Sequence, residues 1–66
     1  MNVDHEFCES NSKKLWGIAA NVQDALATDI NMSIAEAATL RAIIDEVYHV
    51  SDRFHSLAVM MKYSHV

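Results

Sequence analysis

From Ser33 to Val66 the chain contains neither glycine nor proline, and this uninterrupted stretch limits the fold more than any other feature. Turns in β structure lean on those two residues, yet the whole sequence holds one glycine, Gly17, and no proline. The stretch opens with Ser33-Ile34-Ala35-Glu36, a capping box. In it the Ser side chain accepts from an orphan N–H at the start of a helix and the Glu reaches back to another. Apolar residues then recur at heptad spacing. Ala37, Ile44, Ser51 and Ala58 take one core position, Leu40, Val47, Phe54 and Met61 the other, and Ile43, Val50 and Leu57 widen the stripe on one flank. Three apolar positions in seven suit a helical bundle better than a two-stranded coil. The pattern predicts one long helix over 34–63.

Upstream, Leu15, Ile18, Ala19, Val22, Ala25 and Leu26 follow the three-and-four spacing of a second amphipathic helix, expected over 10–27 with residues 1–9 frayed. Asn2 or Asp4 offers an early cap, and Ser10 or Ser12 a later one. Gly17 falls inside this helix, where a neighbouring helix at close range accounts for it, and Trp16 lies beside the stripe, covering a seam or meeting a second subunit. Thr28-Asp29-Ile30-Asn31-Met32 breaks the pattern with poor helix formers. A loop at 28–33 has the usual length of a helix–helix connection, with Ile30 and Met32 folding back onto the core.

The expected fold is therefore all-α: a single domain, 1–66, made of a two-helix antiparallel hairpin that dimerises into a four-helix bundle. Two arguments require the second copy. A chain this short buries only about 60% of its unfolded surface, and Cys8, the one cysteine, has no partner for an internal disulfide. The helices also differ in length, about 45 Å against about 24 Å. Even a first helix beginning at Asp4 reaches back only to Leu57, leaving Ala58 to Val66 to project with Val59, Met60, Met61 and Tyr63 uncovered, and apolar surface of that kind is normally covered.

Charge narrows the partners. A net charge of −4, with the five cations scattered as Lys13, Lys14, Arg41, Arg53 and Lys62, disfavours nucleic acid, which wants a clustered basic face. The opening Met1-Asn2-Val3-Asp4-His5-Glu6 lacks the basic start and apolar core of a secretory signal. No run approaches the roughly 20 apolar residues of a membrane span, so a cytoplasmic setting with no membrane contact is expected.

Chemistry-bearing clusters are sparse. His5, Cys8 and Glu9 lie one helical turn apart and carry metal-ligand chemistry, but no CxxC or HxxxH accompanies them, and zinc sites want four placed ligands. Asp45, His49 and Asp52 share a polar helix face without the pocket and nucleophile that catalysis needs. Neither catalytic residues nor a cofactor are expected. The leading expectation is a small non-enzymatic regulator, adaptor or inhibitor that binds another protein, as well as itself, through Trp16, Phe54, Leu57, Met60, Met61 and Tyr63. One alternative is a dimeric nucleic-acid binder gathering Lys13, Lys14 and Arg41 from two chains. Another is a metal or redox sensor using His5 and Cys8.

Overall fold

The computed structural model describes residues 2–29 and 31–64. Ile30, expected to fold back onto the core, lies outside the described residues, as do His65 and Val66 at the end of the expected overhang. Among the described residues there are two helices, α1 over His5–Thr28 and α2 over Ile34–Ser64, packed side by side as an antiparallel hairpin 51 Å long and 17 by 15 Å across.

α1 starts five residues before the Ser10 boundary expected from sequence. Asp4 is its N-cap, with the carboxylate accepting from the Phe7 amide at 2.8 Å, and Glu6 follows in the first turn, where a negative charge opposes the positive end of the helix dipole. Ser12, one of the candidate caps, is instead a core residue in mid-helix. Cys8 and Ser12 are both buried against α2, so the early start gains contacts that a helix beginning at Ser10 or Ser12 would forgo.

α2 begins as its sequence predicts. The Ser33 amide donates to Glu36 Oε1 at 3.0 Å, and the Glu36 amide donates to Ser33 Oγ at 3.1 Å. The Ser33 amide, followed by its hydroxyl, holds the Glu36 carboxyl below its ordinary range. The ionised carboxylate is thus favoured in the folded chain. Its contribution is present above the ordinary carboxylate pKa and is lost as pH falls through the lowered value.

The centre of the hairpin is narrow. Cys8, Ser12 and Ala19 of α1 are buried against Ile44, Ser51 and Ala58 of α2, all but Ile44 small, so the two backbones run close together. At the middle of this seam the two serines exchange hydrogen bonds. Ser12 Oγ donates to the Ser51 carbonyl at 2.8 Å, Ser51 Oγ donates to the Ser12 carbonyl at 2.7 Å, and the two hydroxyl oxygens lie 3.1 Å apart. Buried hydroxyls left unpaired are costly. Sliding one helix along the other would orphan both, so the pair fixes the register.

That register shortens the overhang expected from sequence. Ala58 is covered by the first turn of α1. Met61 is half-buried, its sulfur 3.9 Å from the Cys8 sulfur. Helical side chains lean toward the N-terminus of their helix, so Met61 folds back about one turn onto α1 although its backbone lies beyond it. Gly17 corrects a second expectation. It is exposed, and a Cβ placed there meets nothing within 4 Å. No neighbour in the hairpin requires the glycine. The close approach falls instead at the serines and alanines of the seam.

Candidate protein-interaction face

Heptad arithmetic assigns each flanking row of the hairpin to one of two broad faces. On one, residues 9, 16 and 23 of α1 run beside 41, 48 and 55 of α2. Here the seam is closed by side chains that reach across it. Trp16 meets Tyr48 edge-on with centroids 6.2 Å apart and planes at 63°. The Tyr48 hydroxyl donates to Gln23 Oε1 at 3.3 Å, and Glu9 sits 3.4 Å from His55. Polar and aromatic groups thus cap the apolar seam on this face, where Trp16 stays largely exposed while packing on Tyr48.

The opposite face is open. Its inner rows, Leu15 and Val22 of α1 with Leu40, Val47, Phe54 and Met61 of α2, are only half-buried. Outside them Ile18 of α1 and the row Ile43, Val50 and Leu57 of α2 are exposed. The rows are continuous, because Cys8 touches Met61 on this side. Near the loop the face carries a shallow, open apolar depression of about 400 Å³ lined by Met32, Ala35, Glu36, Thr39, Leu40 and Ile43. At its other end stands Met60, 66% exposed, while Tyr63, 69% exposed, falls in the row of His49 and Ser56 on the far side of α2.

The residues expected to form a protein interface therefore divide. Phe54, Leu57 and Met61 lie on the open face and Met60 on its rim, with Tyr63 on the last turn of α2. Trp16, still 58% exposed, is on the closed face with Tyr48 and is not brought together with them. Ile18, Ile43 and Val50 are exposed on the same face and were not among the expected residues, although the last two were legible as a widened stripe. A stripe wider than one neighbour can cover was the available signal.

The alternatives find less geometry. Cys8 is fully buried and faces Met61, His5 is exposed, and Glu9 turns to His55, so the three side chains do not converge. Arg41 lines a shallow hollow beside Gln23 and Leu26, about three turns along the hairpin from Lys13 and Lys14, which themselves point to different sides of α1. Asp45, His49 and Asp52 are all exposed. Among the described residues no helix is long and apolar enough to cross a membrane. Comparison of the chain with protein-family models, with curated proteins and with solved structures gave no match.

Proposed function

We propose that this chain is a non-enzymatic protein-interaction module, a small regulator, adaptor or inhibitor, that works by laying the open face of its hairpin against another helical surface. The observation that carries this reading is the asymmetry of the two faces. The closed face satisfies its own seam, whereas Ile18, Ile43, Val50 and Leu57 are exposed along one side. Contiguous apolar rows of that extent mark interaction surfaces, and anchors at helical spacing are what a helix-on-helix contact uses. The mechanism is occlusion or bridging of the partner surface, with Phe54 and Leu57 near its centre and Met60 adapting its shape at the rim.

Site-specific photocrosslinking in living cells tests the reading. A benzophenone side chain at Ile43 should yield discrete crosslinked protein species, and one at Gly17, on the solvent side of α1, should yield none. Equal crosslinking from both positions, or none from Ile43, would remove the open face as a binding surface.

A further inference from the structure

We propose that the occupant of the open face is a second copy of this chain, its α2 antiparallel to the first and the two-fold axis passing beside Val47 and Val50. This rests on the open-face reading and names its partner. Three features of α2 favour it independently.

The first is charge. Outside the exposed Ile43, Val50 and Leu57 row, the next heptad row of α2 is Thr39, Glu46, Arg53 and Met60. Its charged members are one anion and one cation, both exposed, and neither forms an ion pair among the described residues of its own chain. In an antiparallel helix pair, outer rows of the same kind face each other. With the axis beside Val47 and Val50, Glu46 of each copy falls opposite Arg53 of the other. Two matched ion pairs then flank the seam. A parallel arrangement of the two α2 helices would set this row against the partner's opposite flank, the buried row of Ile44, Ser51 and Ala58, and would pair neither charge.

The second is length. The same axis lies at the midpoint of α2, so Ile34 of one copy stands level with Ser64 of the other and the ends of the 31-residue helices are flush. The segment that α1 leaves uncovered is then covered by the second α2. Inner rows alternate as antiparallel packing requires, Val47 against Val50, Ile43 against Phe54 and Leu40 against Leu57 across the seam.

The third is shape. In this register Met60 of one copy arrives opposite Thr39 of the other, over the depression lined by Met32, Ala35, Leu40 and Ile43. An exposed, flexible apolar side chain and a shallow apolar depression of about 400 Å³ thus meet at each end of the seam. The hairpin's broad face, 51 by 17 Å, projects on the order of 850 Å², close to what each partner contributes to a stable interface.

Charge reversal in the full chain tests this arrangement. Glu46→Arg and Arg53→Glu each place like charges together at both symmetry-related positions beside the two-fold axis, and each should weaken self-association about tenfold or more at low salt, read by sedimentation equilibrium. Mixing the two variants should restore association as a heterodimer, and the chain carrying both reversals should associate like the unaltered one. Both positions are exposed, so helicity by circular dichroism should stay unchanged throughout. A monomeric unaltered chain at micromolar concentration would overturn the proposal, as would dimers in which neither reversal, or no mixing preference, is detected. Crosslinking from Ile43 to the chain itself supports both readings. Crosslinking only to a different protein keeps the open face as an interaction surface and overturns self-pairing.

Discussion

On one face of the hairpin Trp16 packs against Tyr48 and Glu9 reaches His55, whereas on the other Ile18, Ile43, Val50 and Leu57 are exposed. Both faces flank the same seam of small residues, so the difference lies entirely in the next row outward. Where that row is polar or amphipathic, the two helices finish each other's surface. Where it is aliphatic, two helices are too few. A row of Ile, Val and Leu has no group to offer water and no third helix among the described residues to meet, so this half of the molecule is unfinished in a way that its other half is not.

Substitutions can break that comparison, and the largest effect is expected at Phe54. It is half-buried on the open face, and a carboxylate there would face apolar neighbours without a partner. Phe54→Asp should cost about 3 kcal/mol or more, a large share of the stability of so small a domain. Thermal melts followed by circular dichroism should show loss of the cooperative transition, together with loss of any self-association. Retained helicity and size would mean that Phe54 belongs to neither core nor interface.

The matching change on the closed face should be milder. Trp16→Ala removes an aromatic pair worth about 1 kcal/mol and should lower the unfolding midpoint in urea while leaving association constant. If it instead dissociates the protein as strongly as Phe54→Asp does, the two faces are not functionally distinct. The smallest effect should come from the solvent side of α1. Because a Cβ at Gly17 meets nothing within 4 Å, Gly17→Ala should raise stability by up to about 1 kcal/mol through helix propensity. Destabilisation there would reveal a contact that the hairpin alone does not supply.

Much of this molecule is written locally. The Ser33–Glu36 box, the heptad rows of α2 and the missing prolines are matters of neighbouring residues, and they specify two helices joined by a short connection without reference to packing. The residues of the open face were legible only in part. Phe54, Leu57, Met60 and Met61 stood out because they sit in or beside an apolar stripe that extends past the first helix. Spacing groups Trp16 with them, because a row beside a stripe can belong to either side of a hairpin and periodicity alone does not say which.

Tertiary structure decided what depends on two helices at once. It chose Asp4 over Ser10 and Ser12 as the start of α1, because an earlier start buries Cys8. It also made Ser12 and Ser51 each other's partners, a pairing invisible in one dimension, since the residues lie on different helices: Ser12 alone reads as a helix cap, and the core heptad position of Ser51 does not name its partner. The sequence by itself determined which rows are apolar. Only the packed hairpin decided which rows share a face, because face and register are set by close approach at the small residues and by the need of two buried hydroxyls to find carbonyls across the seam.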